Sequence, residues 1–221
     1  MSLGTNAHGF RTPFGDRVYQ SVERGLAWVR AQIANGQYGG NATALGGLTI
    51  LGRRSSQDWG APERGYGQST RQDKNRLRAM ARAIITADPA LSNVGPANSY
   101  LTGTNIAFLA KYLSTGGPND VDAAVSVRVA IERGVERLLE TQANDAENAC
   151  VAGSWNYTET LETGDTSTTQ IVLMGLSAAT RYVDGALESI GDLARYLNSA
   201  QNADGGFGYR ACANMASTTS M

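Results

Sequence analysis

One pattern recurs along this chain and constrains its fold more than any other feature. An apolar stretch with helical spacing runs into a loop rich in Gly, Asn and Asp, and a segment of small residues led by Thr follows. The last copy is the clearest, with residues 193–197, the loop 201–209 and residues 217–219. The Thr-led segments begin at Thr43, Thr104, Thr169 and Thr219. Recurrence at this spacing indicates one supersecondary unit stacked several times along the chain.

Composition limits the classes of function. The 221 residues are 42% hydrophobic, which is enough to bury the core of a single domain. The formal net charge of −1 creates no field that would attract nucleic acid or an anionic membrane. No apolar run approaches the roughly 20 residues of a membrane span. We therefore expect a globular domain with no nucleic-acid partner and no membrane span.

Two types of helix alternate in the pattern. The first type carries a single apolar stripe at helical spacing, as in Val18, Val22, Leu26, Val29 and Ile33. The second type, as in residues 43–51, is apolar on nearly all sides and contains glycine. Glycine costs about 1 kcal/mol in a helix interior and is tolerated where two backbones approach closely. We therefore predict an all-α fold, an α/α toroid of about three and a half repeats, with the second type of helix inside.

Local signals set the expected boundaries. Pro89 ends the second outer helix, and the third outer helix is expected to begin at Asp120 or Asp122, both good N-caps. Residues 1–15, which contain the only histidine, are expected to be a tail that is disordered or derived from an expression vector. Residues 16–221 form the predicted toroid domain, which we expect to be truncated because its last inner helix is cut short.

The loops between the helices carry a specific resemblance. The sequence QNADGGFG at residues 201–208 resembles the repeat motif of squalene and terpenoid cyclases and of protein prenyltransferase β subunits. In those families a Gln ends the outer helix, and a Gly and an aromatic residue precede the inner helix. Gln142, Gly153 and Trp155 match the same pattern. The resemblance implies the α/α toroid of those families over residues 16–221. It also implies that the Gln bonds free groups at the helix end and that the aromatic ring packs between units.

The catalytic groups of those families have no clear counterpart in this chain. The cyclases protonate their substrate with an Asp-x-Asp-Asp motif, and the nearest match, residues 120–123, lacks the last Asp. The prenyltransferases hold zinc with Asp, Cys and His, and the predicted domain contains no His. Cys150, Asp145 and Glu147 could hold a metal only with ligands from another unit. We therefore predict no metal and no cofactor, and we name no catalytic residue.

Cys150 and Cys212 occupy comparable positions in consecutive loops. Because such loops are neighbours on one rim of a toroid, a disulfide between them is the interpretation we carry forward. The alternative is a pair of unrelated thiols. A disulfide favours an exported location, periplasmic or extracellular, over a cytoplasmic one.

A basic stretch suggests a second surface. Residues 53–82 contain eight Lys or Arg and three Asp or Glu. Four of these cations, Arg71, Lys74, Arg78 and Arg82, share one helix face by their spacing. Either an anionic partner binds this face or it is an ordinary solvated outer face.

The best candidate for a ligand site is the rim where the inner helices begin. Helix N-termini present unpaired N–H groups and the positive end of the helix dipole, which suit polar or anionic ligands. The competing interpretation is ordinary N-capping by Ser, Thr and Asp. The predicted ligand-binding residues are Trp155, Tyr157, Asp165, Thr166, Thr169 and Gln170.

These observations support two hypotheses about function. The first is a non-catalytic prenyltransferase- or squalene-cyclase-like repeat domain that binds a protein or a small apolar, glycan or peptide ligand. The second is a fragment of a toroidal enzyme, either terpenoid cyclase- or prenyltransferase-like or a polysaccharide lyase, whose catalytic residues lie beyond residue 221. An open toroid leaves apolar edges, so we also expect self-association.

Overall fold

The structure is a computed structural model that describes residues 12–34, 41–58, 60–88, 98–143, 150–157, 164–188 and 190–212. Within these ranges the chain forms seven α-helices and no β-strand, so the predicted all-α class is confirmed. The helices are α1 (Pro13–Ala34), α2 (Asn41–Leu51), α3 (Arg71–Ala87), α4 (Ser99–Ser114), α5 (Val127–Glu140), α6 (Thr166–Ala179) and α7 (Ile190–Ala200). None of the helices in the described ranges combines the length and hydropathy that a membrane crossing needs.

Helix α4 forms the centre of the core. It packs against α2 on one side and α6 on the other, and it also contacts α3 and α5. Every residue from 102 to 110 is buried, whereas α3 and α5 bury one face and expose the other. The alternation of two helix types expected from the sequence is therefore present in the structure, with α4 as the clearest example of the buried type.

Two glycines allow α4 and α6 to approach closely. A methyl group on Gly103 would lie 2.8 Å from the carbonyl oxygen of Ile171, which is closer than real Cβ atoms come. Gly175 meets the backbone of Gly103 from the α6 side. The helices therefore touch backbone to backbone at this point, which is the packing role that the sequence assigned to such glycines.

The start of α4 differs from the sequence-based expectation. The helix begins at Ser99, not at Thr104, and its N-cap is Asn98, whose Oδ1 accepts a hydrogen bond of 3.0 Å from the Leu101 N–H. Thr104 lies inside the helix, where its hydroxyl donates to the Tyr100 carbonyl at 2.7 Å. The Thr that begins the small-residue pattern is thus one turn inside the helix.

The expected N-cap of α5 is also wrong. The cap is Ser126, whose Oγ accepts from the Val129 N–H at 3.4 Å. Asp120 instead accepts from the Asp122 N–H at 2.9 Å, which forms a local turn. Asp122 then adopts a left-handed conformation with φ of 59°. Both aspartates favour a turn as much as a cap, and here the turn is the outcome.

The first helix departs from expectation at both its start and its stripe. Helix α1 begins at Pro13, so it includes the last residues of the expected tail. Of its predicted apolar stripe only Leu26 is buried, whereas Val18 is 44% and Val22 51% exposed. His8, Trp59, Asp145, Glu147 and the Thr-led segment 217–219 lie outside the described residues.

Candidate functional site

The loops that carry the Gln, Gly and aromatic motif have the same internal hydrogen bond in both units. The Gln142 amide donates to the Gly153 carbonyl at 3.0 Å, and the Gln201 amide donates to the Gly205 carbonyl at 3.2 Å. These two bonds close the loops, and the bond from Gln to the helix end stays a prediction. In the first of the two units the aromatic residue bonds the helix end, since the Trp155 indole N–H donates to the Leu138 carbonyl of α5 at 2.7 Å.

Cys150 and Cys212 are joined as a disulfide, with their Cα atoms 5.5 Å apart. The bond ties the loop before α6 to the segment after α7. Beside it lies a small apolar cluster that belongs to α7 and the chain that follows it. The members of this cluster are Tyr196, Ala200 and Ala211, with Cys150, Leu197 and Phe207 packed against them.

Three of the predicted ligand-binding residues lie in the interior with their polar groups satisfied. The backbone N–H of Trp155 donates to the Thr169 hydroxyl oxygen at 3.0 Å, and both residues are buried. The Thr166 hydroxyl donates to the Gly208 carbonyl at 2.8 Å and lies 3.0 Å from the Tyr196 hydroxyl. Trp155, Thr166 and Thr169 therefore hold the loops onto α6 and offer nothing to a ligand.

Asp165 is the N-cap of α6. Its Oδ1 accepts from the Thr168 N–H and from the Ser167 hydroxyl, each at 2.7 Å, and the residue is buried. This is the N-capping role that the sequence left open as the alternative. The carboxylate thus fixes the first turn of α6, and it is already engaged by its own helix.

Tyr157 and Gln170 are the predicted residues that reach the surface. The Tyr157 ring is stacked on the Tyr100 ring, with centroids 5.6 Å apart and an interplanar angle of 12°. Tyr100 comes from the first turn of α4, so this contact joins the N-terminal end of α4 to the segment 150–157. Gln170 is exposed on the first turns of α6.

A third tyrosine completes this surface. Tyr209 accepts a hydrogen bond of 3.0 Å from the Thr166 N–H through its carbonyl, which places it over the N-terminus of α6. A hydrogen bond to the Asp165 carboxyl raises the pKa of Tyr209, and burial and the charge of that carboxylate raise it further. The hydroxyl of Tyr209 therefore stays protonated and donates its hydrogen to the Asp165 carboxyl, which leaves its oxygen as an acceptor. We call Tyr100, Tyr157, Tyr209 and Gln170 the tyrosine rim.

Sequence reasoning missed Tyr100 and Tyr209. Tyr100 would have been found if the N-cap of α4 had been assigned to Asn98, because it would then fall in the first turn of an inner helix. Tyr209 directly follows the loop motif, but its return to α6 depends on the Cys150–Cys212 bond and on long-range contacts. The hydrophobic periodicity of the sequence predicts neither that bond nor those contacts.

The arrangement suits binding better than acid–base or metal chemistry. Aromatic rings and neutral polar groups face the solvent, whereas the Asp165 carboxylate beneath them is buried and caps α6. In the parts of the chain that the structure describes, no group of three or more His, Cys, Asp or Glu side chains could hold a metal ion.

Two other surfaces lie outside the tyrosine rim. A cavity of about 570 Å³ lies between α1 and the segment after α2, lined by Phe14, Val18 and Val22 and edged by the Glu23–Arg53 ion pair. On the basic face of α3, Arg78 pairs with Asp122 at 3.1 Å and the Lys74 ammonium lies 5.7 Å from the Tyr66 ring centroid. These two cations are therefore engaged within the chain, which favours the solvated outer face over an anion site.

Comparison of the chain with protein-family models, with curated proteins and with solved structures found no match. The resemblance to terpenoid cyclases and prenyltransferases therefore rests on the loop motifs and on the alternation of helices. The functional argument rests on the site itself.

Proposed function

We propose that this chain is a non-catalytic ligand-binding domain built as an α/α toroid of the terpenoid-cyclase and prenyltransferase type, and that it works outside the cytoplasm. The proposed architecture is supported by the row of buried helices α2, α4 and α6 and by the repeated Gln-to-Gly loop bond. The proposed export is supported by the Cys150–Cys212 disulfide.

The ligand surface in this proposal is the tyrosine rim. The observation that carries it is the exposure of aromatic rings above a buried scaffold: Tyr157 and Tyr209 are each 39% exposed, while Trp155 and Thr169 are buried. Aromatic rings with a few convergent polar groups on a rigid support are the usual composition of a small-ligand site. The support here consists of the capped first turns of α4 and α6 and the segments joined by the Cys150–Cys212 disulfide.

Mapping of ligand contacts tests this proposal. A library of small polar and aromatic-stacking fragments would be titrated into isotope-labelled protein, and backbone amide shifts followed by NMR. We expect the perturbed amides to surround Tyr157, Gln170 and Tyr209. Perturbations confined to the cavity beside α1, or a complete absence of perturbations at the rim, would overturn the proposal.

The enzymatic alternative stays a prediction about a longer chain. It is tested by extending the reading frame beyond residue 221 and inspecting the added inner helices. An Asp-rich motif or a set of Cys and His ligands there would favour a toroidal enzyme. A stop codon soon after residue 221 would remove its main support.

A further inference from the structure

We infer that the tyrosine rim binds neutral carbohydrate. This inference rests on the proposed function, and it selects one ligand class from the apolar, glycan and peptide ligands that the sequence left open. Three features of the rim carry it: the stacked tyrosine rings, the neutral hydrogen-bonding groups and the position of the Asp165 carboxylate.

The stacked tyrosines present a ring face suited to a sugar. Tyr100 covers one face of Tyr157 at a centroid distance of 5.6 Å, and Tyr157 is still 39% exposed. An aromatic face carries the negative part of the ring quadrupole. A pyranose ring has one side formed mainly by C–H groups, which are weakly positive and pack on such a face. Stacking on Tyr100 also fixes the Tyr157 ring in advance, so less side-chain freedom is lost on binding.

The polar groups of the rim match sugar hydroxyls. A sugar hydroxyl both donates and accepts, and so does the Gln170 amide, whereas the Tyr209 hydroxyl, whose hydrogen is engaged by Asp165, offers its oxygen as an acceptor. The raised pKa of Tyr209 keeps its hydroxyl neutral in ordinary buffers. Both groups lie at the N-terminal end of α6, with Tyr209 anchored there by its bond to the Thr166 N–H. In this inference a hydroxyl-rich ligand contacts the ring face and these groups together.

The charge of Asp165 disfavours an acidic sugar. Asp165, directly beneath Tyr209, is the only charged side chain among those that form or support the rim as described above. A uronate or sulfate placed there would face a like charge, which is unfavourable at short range. The rim therefore favours a neutral oligosaccharide.

The other two ligand classes fit less well. A peptide recognised by backbone addition needs an exposed strand edge, and the described residues contain no strand. An apolar ligand is better accommodated in the cavity beside α1, whose lining includes Phe14, Val18, Val22 and Leu26. The rim offers ring faces and hydroxyl-binding groups, which is the combination that a sugar uses.

The test is a titration of the whole chain with defined sugars. Cello-, manno- and xylo-oligosaccharides serve as neutral probes and oligogalacturonate serves as the acidic probe, with binding followed by amide shifts in NMR. We expect at least one neutral series to perturb the rim, with affinity rising with length, and oligogalacturonate to bind more weakly. Because the site is shallow, affinity electrophoresis through gels containing the matching neutral polysaccharide provides a multivalent readout.

Four variants separate the contributions of the rim. We expect Tyr157→Ala to weaken binding about tenfold and Tyr157→Phe to retain it, because the ring face is kept. Tyr209→Phe removes only a hydroxyl and should weaken binding about threefold to tenfold. Trp28→Ala removes another exposed aromatic ring, on α1, and should leave binding unchanged. A thermal unfolding transition close to that of the unmodified chain confirms that each variant is folded, and Tyr157→Phe keeps the comparison valid if Tyr157→Ala unfolds.

The outcomes distinguish this inference from the proposed function. Rim perturbation by other fragments but by no neutral sugar would overturn the inference and leave the proposed function standing. No binding at the rim by any probe would overturn both. Tighter binding of oligogalacturonate than of the neutral sugars, or equal loss in Tyr157→Phe and Tyr157→Ala, would also overturn the inference.

Discussion

Gly153 and Gly205 occupy equivalent places in the two loop motifs and differ only in their surroundings. Each accepts the amide of its motif Gln, and each has a left-handed backbone, with φ of 84° and 85°. A Cβ atom on Gly153 would overlap the backbone carbonyl of Asp192 at the start of α7, whereas nothing lies within 4 Å of the corresponding point on Gly205. Gly153 is therefore required by conformation and by space, and Gly205 by conformation alone.

This difference predicts unequal effects of one substitution. Gly205→Ala should lower the free energy of unfolding by about 1 kcal/mol, the cost of a left-handed conformation for a residue with a Cβ. Gly153→Ala should lower it by about 3 kcal/mol, because α7 must also move away. Urea unfolding of the two variants beside the unmodified chain measures both values. Equal losses would show that the backbone of Asp192 moves at little cost.

Asp73 is a buried carboxylate held by two arginines. Arg30 donates to it through two bonds of 2.9 and 2.8 Å, and Arg76 donates at 3.1 Å. Burial alone would raise the pKa of Asp73, but the hydrogen bonds and charges of Arg30 and Arg76 outweigh it and lower the pKa. The interaction joins α1 to α3, so its protonation state bears on how these helices pack.

A lowered carboxyl pKa predicts a defined pH dependence of stability. The unfolded chain binds the proton first as the pH falls, so the contribution of Asp73 is full above its unfolded pKa of about 4 and is lost as the pH falls towards its folded pKa. Asp73→Asn should therefore destabilise at neutral pH, by about 3 kcal/mol, and the gap to the unmodified chain should narrow below about pH 4.

The matched control for this experiment is Asp122→Asn. Asp122 pairs with Arg78 at 3.1 Å, but both side chains are largely exposed. An exposed ion pair contributes little, so this variant should change stability by less than about 1 kcal/mol at any pH. Urea unfolding between acid and neutral pH measures both series, and a constant gap for Asp73→Asn would contradict the lowered pKa.

At the scale of elements, the disulfide determines how α7 and the rim are attached. Helix α7 places Tyr196 and Ala200 in the small cluster with Ala211, and its Leu193 joins the main core. The Cys150–Cys212 bond joins the loop that leads to Tyr157 to the segment that carries Tyr209. Breaking the bond should therefore loosen α7 and both surface tyrosines before it affects α4.

This prediction is tested by removing the bond in a Cys150→Ser, Cys212→Ser chain. The cysteines are 62 residues apart, and a loop of that length corresponds to about 4 kcal/mol in the chain-entropy model. We expect a loss of stability approaching that value, with amide hydrogen exchange accelerated first in α7 and residues 201–212. Reductant should destabilise the unmodified chain and leave the double variant unchanged. Two free thiols in non-reducing mass spectrometry would contradict the pairing itself.

Two glycines inside helices should respond in opposite ways to alanine substitution, because only one of them lies at the contact between α4 and α6. Gly103→Ala should destabilise by about 3 kcal/mol, because its methyl group would lie 2.8 Å from the Ile171 carbonyl oxygen. Gly25→Ala in α1 meets no atom within 4 Å and should stabilise by about 1 kcal/mol through helix propensity. Thermal and urea unfolding measure both. A stabilised Gly103→Ala chain would show that the helices are not in backbone contact.

These elements also show how far sequence reasoning reaches. The hydrophobic periodicity of α3 and α5 and the glycine of α4, Gly103, are local features, so the helix types were predictable. The start of α4 was not, because Thr104 and Asn98 are both plausible caps and only burial of residues 102–110 decides between them. The rim was half predictable: Tyr157 follows the motif, whereas Tyr100 and Tyr209 arrive through long-range packing that no local pattern encodes.

At the scale of the whole molecule, helix α1 leaves several apolar side chains open to solvent. Phe14, Val18, Val22 and Trp28 are all exposed, and the first three border the cavity of about 570 Å³. The stripe continues to Leu26, which is buried, so the helix has an apolar face wider than its contact with α2. Apolar surface of this extent on a chain of this size is typical of an interaction surface.

This face predicts that the chain associates with a second copy of itself. Burial of Phe14, Val18 and Val22 in a dimer would remove apolar area from water, which stabilises by about 25 cal/mol for each Å². We expect light scattering and sedimentation to show a mass that rises with protein concentration. Val18→Glu with Val22→Glu should restore the monomer, because the dimer would have to bury two charges.

The matched control for self-association is Met174→Glu, which adds a charge at a similarly exposed apolar position on α6. It should leave the mass distribution unchanged, because α6 is separated from the α1 face by α2 and α4. Loss of association in Met174→Glu but not in the α1 variant would place the contact on the other side of the molecule. A monomer at every concentration would contradict the prediction, and the exposed stripe of α1 would then need another occupant.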